Sequence, residues 1–126
     1  MTTTAQATRA TVEAFYAAGA GLDFDRFFGL LHPEIVVYEP ECLPYGGTYR
    51  GIPEVQGLIQ QLGQYLDPAT VRLRKLLVEA DSAVATITIA TQADAMELLV
   101  SEHYRVSGDK IVELRIFFFD STPIGT

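Results

Sequence analysis

"ATVRLRKLLVEADSAVATITIAT", residues 69–91, changes the rhythm of this chain. Upstream of it, apolar residues recur at three- and four-residue spacing. From Ala69 onward they alternate with polar ones at period two. A strand sends successive side chains to opposite faces, so residues 69–80 read as one strand and Asp81-Ser82 as a tight turn. Residues 83–91, rich in β-branched side chains, read as the next strand. The pattern continues downstream: "AMELLVSEHYRV" (95–106) is a third strand, "SGDK" (107–110) a turn, and "IVELRIFFF" (111–119) a fourth. Together they form a long antiparallel meander.

Working backward, residues 4–19 read as a helix, with Val12, Phe15 and Tyr16 at helical spacing and Gly19 and Gly21 marking its end. Asp23 suits the N-cap of a second, short helix through Leu31. His32-Pro33-Glu34 breaks it, and residues 35–39 form the first strand. The loop 40–48 carries two prolines and Gly46-Gly47, so turns order it. Gly51 precedes a third helix, with Pro53 in its first turn and Val55, Leu58, Ile59 and Leu62 as its inner stripe. Three helices with one early strand, followed by a meander, predict an α+β domain over residues 1–126. Its helices cover one face of a curved, mainly antiparallel sheet. "TITI" and "RIFFF" place hydrophobic side chains on both sheet faces, and three short helices cover only one. The uncovered face is expected to bury itself against a second copy, giving a homodimer.

Composition narrows the functional classes. The chain has 126 residues, 48% of them hydrophobic, and a formal charge of −7 from nine basic and sixteen acidic side chains. Its one basic run, "RLRK" at 72–75, alternates along a strand, so no nucleic-acid partner is expected. Cys42 is the single cysteine, which excludes an internal disulfide or thiolate cluster. No apolar run approaches the roughly 18 residues of a membrane span, and a cytoplasmic protein is expected. Two histidines without HxH or HxxxH spacing predict no metal, and "YGGTYRG" lacks the grammar of a phosphate loop, so no cofactor is expected. His32 reads as structural, His103 as a surface or interface residue, and Cys42 has no histidine near it in sequence to activate it.

One residue stands out. Alternation along 35–39 puts Ile35, Val37 and Glu39 on one face, so a carboxylate closes an apolar strand just before Pro40. Either Glu39 sits at a solvated rim, or it points into a cavity.

At this point the chain resembles a known family. "FYAAGAGLDFDRFFGLLHPEIVVYEP" (15–40), "LPYGGTYRG" (43–51) and "YRVSGDKIVELRIFFFD" (104–120) are similar, in order and spacing, to landmarks of the SnoaL-like branch of the nuclear transport factor two-like superfamily. The resemblance implies a cone-shaped α+β barrel around a deep apolar pocket, with dimers formed through the outer sheet face. That superfamily holds polyketide cyclases, ketosteroid isomerases, dehydratases, epoxide hydrolases and non-catalytic binding domains, so the fold alone does not choose an activity.

The resemblance also implies site residues. "VVYEP" is similar to the strand end where ketosteroid isomerases carry a proton-shuttling aspartate, which places Glu39 there. "EHYRV" is similar to the strand that carries their second, protonated acid, which places Glu102 there. The isomerases' first-helix tyrosine falls on Phe15, with Tyr16 turned away by about 100°. Hydroxyl donation is therefore expected from Tyr45, Tyr49 or Tyr104. Phe15, Val37, Ile116 and Phe118 are expected beside them as ligand-binding residues. The epoxide-hydrolase branch does not fit, because "LRIFFFD" places Ile116 where its second acid would stand.

Burial raises a carboxyl pKa, and two neighbouring carboxyls raise it further. One can then act as base while the other donates a hydrogen bond to a developing enolate, as in ketosteroid isomerases. The expected function is a cofactor-independent acid–base enzyme acting on an apolar carbonyl compound by cyclisation, isomerisation or dehydration, with Glu39 as base and Glu102 as the second acid. The alternative is a non-enzymatic ligand-binding or dimerisation domain of the same fold.

Overall fold

Thr4 opens the described part of the chain's first helix by accepting a hydrogen bond from the Ala7 amide, which satisfies one of the free N–H groups of a helix start. The computed structural model describes residues 3–125. Helix α1 spans Ala5–Ala20, α2 Phe24–Gly29 and α3 Ile52–Leu62; strand β1 spans Leu31–Glu39, β2 Gly47–Arg50, β3 Leu66–Glu79, β4 Ser82–Thr91, β5 Glu97–Ser107 and β6 Lys110–Phe118. The strands form one curved six-stranded sheet in the order β2-β1-β6-β5-β4-β3. All neighbours are antiparallel except β1 and β6, which run parallel. The result is a cone-shaped α+β fold with the helices on the concave face. Among the described residues, no helix is long and apolar enough to cross a membrane.

Three differences from the sequence expectation have local causes. The first strand begins at Leu31, so His32-Pro33-Glu34 does not interrupt it. Instead the register to β6 shifts between Leu31 and Val36. A proline, which has no N–H to give a ladder, is tolerated at such an irregularity. Residues 47–50 form β2, within a stretch expected to be loop: Val37 pairs with Tyr49 and Glu39 with Gly47. A strand of four residues that starts at glycine carries too little periodicity to be read from sequence. β3 starts at Leu66, ahead of Pro68, and absorbs the proline in a second register shift between Asp67 and Arg72.

The core lies between the concave sheet face and the buried sides of α1 and α3. α1 contributes Thr8, Val12, Phe15 and Tyr16; α3 contributes Val55 and Leu58. Ile35 and Val37 of β1, Val100 and Tyr104 of β5, and Ile111 and Leu114 of β6 meet them. Full burial of each large apolar side chain stabilises the fold by about 1.5–3 kcal/mol. Gly46 shapes the loop between β1 and β2: a Cβ there would stand 2.3 Å from the Pro40 carbonyl oxygen. Only glycine allows the chain to fold back that closely after β1. The convex sheet face is uncovered in the single chain, with Leu77, Val84, Leu99 and Phe117 exposed on it.

Candidate functional site

Period-two alternation brings the site together. On β1 it buries Ile35, Val37 and Glu39 and turns Val36 and Tyr38 outward, where Arg115 lies 4.0 Å over the Tyr38 ring centroid. On β5 it turns Glu102 and Tyr104 inward and His103 and Arg105 outward. Glu102 pairs with Ala85 of β4 and Ile116 of β6, so its neighbours across the sheet are apolar. Glu39 is 5% exposed, which excludes the solvated rim.

Both carboxyls face one cavity of about 140 Å³ between the concave sheet, α1 and α3. Its wall is hydrocarbon apart from Glu39, Glu102 and Tyr16, and among the described residues no lysine, arginine or histidine lines it. Phe15, Val37, Ile116 and Phe118 stand on this wall. Phe15 is itself held by a stacked contact with Phe27 of α2, the ring centroids 4.2 Å apart.

The carboxyls differ in their partners. The Tyr16 hydroxyl donates to Glu102 Oε1 at 2.6 Å. The Tyr104 hydroxyl has one proton and two acceptors in reach, Tyr16 Oη at 2.8 Å and Glu102 Oε1 at 3.3 Å. The two tyrosine rings meet edge to face, centroids 5.8 Å apart. By contrast, Glu39 Oε1 and the Tyr45 hydroxyl are buried without a hydrogen-bond partner among the described residues. Buried polar atoms normally have one, so each such exception calls for an explanation.

The electrostatics follow from this geometry. Burial, and then the nearby charge of Glu102, push the Glu39 carboxyl up to about 9. Burial also raises Glu102, while the hydrogen bonds from Tyr16 and Tyr104 oppose that rise. Tyr16 and Tyr104 are held well above the usual phenol range, chiefly by burial and next by the Glu102 charge. Burial and the Glu39 charge raise Tyr45 as well.

Tyr45 and Tyr49 do not stand on the cavity wall. The Tyr49 hydroxyl donates to the Tyr45 backbone carbonyl at 2.6 Å, and the Tyr45 ring packs on Tyr65. Tyr104 lies behind Glu102, bonded to it and to Tyr16. Tyr16 corrects the sequence expectation, in which Phe15 took the tyrosine's place and Tyr16 was turned away. Phe15 and Tyr16 both face inward, 5% and 7% exposed. They belong to one buried stripe of α1, Thr8, Thr11, Val12, Phe15, Tyr16 and Gly19, the three-and-four spacing of an ordinary amphipathic helix. The signal available in the sequence was that stripe, which holds both neighbours.

The remaining sequence candidates lie elsewhere. His103 packs against Phe117 on the convex face, and His32 Nδ1 accepts the Glu34 amide. Cys42 is exposed, its nearest polar partner the Ser121 hydroxyl at 3.8 Å. Among the described residues, no three His, Cys, Asp or Glu side chains converge as a metal site requires.

Solved structures with this architecture include an NTF2-like protein from Burkholderia thailandensis. It is 27% identical, with a TM-score of 0.74 over 88% of this chain and 89% of that one. A Kribbella flavida protein provisionally named a ketosteroid isomerase is 15% identical, with a TM-score of 0.78 over 92% of this chain and 80% of that one. TerC, co-crystallised with polyporic acid, is 18% identical, with a TM-score of 0.77 over 89% of this chain and 91% of that one. Among curated proteins, none matches the chain in sequence. The SnoaL-like domain model matches residues 12–114, a span that runs from the buried face of α1 through Glu39, Glu102 and most of β6. The chain therefore belongs to the SnoaL-like family, on the NTF2-like fold.

Proposed function

We propose that this chain is, as one domain, a cofactor-independent enzyme that moves protons on a small apolar carbonyl compound, in an isomerisation, cyclisation or dehydration. The observation that carries this reading is the pair of inward carboxyls, Glu39 and Glu102, on a cavity wall otherwise made of hydrocarbon and one phenol. Inward acids whose pKa values are raised by burial in a cleft are the usual equipment of general acid–base catalysis. The Kribbella relative's provisional name and the polyporic acid bound to TerC support a small organic ligand. The cavity, at about 140 Å³, is near the roughly 150 Å³ of an engineered cavity that holds benzene. A ligand of one ring fits that volume. Phe15, Val37, Ile116 and Phe118 would pack against it.

The test uses cyclohexenone and other monocyclic enones in D2O, with exchange of the α-protons followed by NMR. The expected result is protein-catalysed exchange that falls by about 10²-fold or more when both glutamates become glutamine. Exchange at the buffer rate with every enone would remove the enzymatic reading.

The second reading, a non-enzymatic binding domain, is favoured by one observation: Tyr16, Tyr104 and Glu102 satisfy one another, as a purely structural polar cluster would. Enones that bind without exchange would select it.

A second copy of this chain is the partner proposed for the convex sheet face. Leu99 and Phe117 are nearly half exposed there. The ion pairs Arg74–Glu97 and Arg105–Glu113 flank them, the arrangement of an apolar interface core with a charged rim. The lone, exposed Cys42 suits the reducing cytoplasm, where the protein is proposed to act.

A further inference from the structure

Glu39 and Glu102 share one cavity, yet different groups reach them. Glu102 Oε1 accepts the Tyr16 proton at 2.6 Å, and Tyr104 stands behind that bond. Donors placed in this way favour the ionised carboxyl, because a hydrogen bond to a charged acceptor is shorter and stronger than one to a neutral acceptor. A phenol that itself accepts from a second phenol is the better donor for it. Among the described residues nothing donates to Glu39 Oε1, which is buried on an otherwise apolar wall. A bare carboxylate is costly in that position, and a neutral carboxyl far less so.

The titratable groups acting on the pair are few. Tyr16 of α1 and Tyr104 of β5 touch Glu102; Tyr45 of the loop after β1 and Tyr49 of β2 feel the Glu39 charge. The Glu102 charge acts on Glu39, and among the described residues no cation lines the cavity to balance a second negative charge.

We infer that Glu102 is the first of the pair to ionise and Glu39 the one that keeps its proton, so that Glu102 serves as base and Glu39 as acid. The division of charge stands on the hydrogen bonds; the words base and acid rest on the proposed function. The roles are the inverse of those implied by the family resemblance. The direction of the electrostatics agrees, since burial raises both carboxyls and only Glu102 has hydrogen bonds that oppose the rise.

The chemical step balances within the pair. Ionised Glu102 takes the proton from a carbon next to the ligand's carbonyl, and the C–H electron pair moves into a new C=C bond. The carbonyl π pair moves onto oxygen, which takes the Glu39 proton and becomes a neutral enol. The pair starts and ends with one negative charge, now on Glu39. Returning a proton from Glu102 to another carbon, and the enol proton to Glu39, completes an isomerisation.

The experiment is a carbon NMR titration of protein labelled at the glutamate carboxyls. Glu39→Gln and Glu102→Gln assign the two buried resonances. In the wild-type protein, the Glu102 resonance is expected to titrate at lower pH than the Glu39 resonance. Tyr16→Phe is expected to move the Glu102 midpoint up by about one unit, the effect of losing a donor to the charged form. Should Tyr16→Phe fail to fold, Tyr104→Phe, which weakens the same donor, reads out the same shift. Glu39 titrating first would overturn the inference, as would a Glu102 midpoint unmoved by loss of either tyrosine. Activity and titration fail separately. The expected order without enone exchange keeps the charge assignment and removes the enzyme, whereas exchange with the opposite order does the reverse.

Discussion

The two ends of the cavity handle the burial of a carboxyl in opposite ways. At the Glu102 end, two tyrosines from α1 and β5 supply hydrogen bonds. At the Glu39 end nothing among the described residues does, and a carboxyl raised to about 9 stays neutral near pH 7. One strand residue is held by partners and the other by its proton. Acid–base work needs both conditions at once, an acceptor and a donor at the same pH.

The largest effect expected from breaking this asymmetry is on turnover. Glu102→Gln removes the proposed base while keeping its shape, and enone exchange should fall by about 10²–10⁴-fold. Glu39→Gln keeps a donor at the same place, so its loss should be the smaller of the two. Comparing the two rate constants under one set of conditions checks the order.

Next in size is the stability of Glu39→Gln. The Glu39 pKa is raised on folding from 4.5 to about 9. Between those values the folded protein binds the proton and the unfolded chain has released it, so stability contributed by this group falls as pH rises. Glutamine cannot ionise. The variant should therefore match the wild type below the unfolded value of 4.5 and exceed it increasingly toward pH 9, by at most roughly 3 kcal/mol at pH 7. Urea melts at three pH values measure this, and a difference that shrinks with rising pH would contradict it.

Tyr16→Phe should destabilise the fold by about 1.5–3 kcal/mol at neutral pH, the worth of a hydrogen bond to a charged group. Tyr45→Phe makes the sharpest contrast. The Tyr45 hydroxyl has no partner to lose, so the substitution should be neutral or mildly stabilising in the same melts. The smallest thermodynamic change is expected on the convex face. Phe117→Glu should leave the monomer's melting point within about 0.5 kcal/mol of the wild type. It should nonetheless convert a dimer to a monomer in sedimentation.

Much of this architecture was legible in the sequence because periodicity is a property of single elements. Period two from Ala69 gave the meander, and alternation put Glu39 on one face with Ile35 and Val37; that Glu39 and Glu102 both look into a pocket came only from the family resemblance. The features that stayed hidden depend on relations between distant elements. The parallel pairing of β1 with β6 joins the early and last strands, and no local pattern records it. Tyr16 was discounted because the family's tyrosine falls one residue earlier, on Phe15, although both residues lie on the same buried stripe of α1. β2 was too short to show a period. Pro33 was read as a break and the next strand was expected only from Ala69, yet register shifts let β1 and β3 run through Pro33 and Pro68.

The position of β6 has a consequence for how the chain comes into being. It is made after the other five strands of the sheet, yet it lies in the interior between β1 and β5. Until it leaves the ribosome, the β2-β1 ribbon has no neighbour to join, and the two halves of the sheet remain unlinked. A premature stop after Ser107 would therefore do more than trim an edge. It would leave both new borders with unpaired backbone groups, open to association with other chains. Maturation of the pocket should be abrupt and late, coinciding with insertion of this final segment.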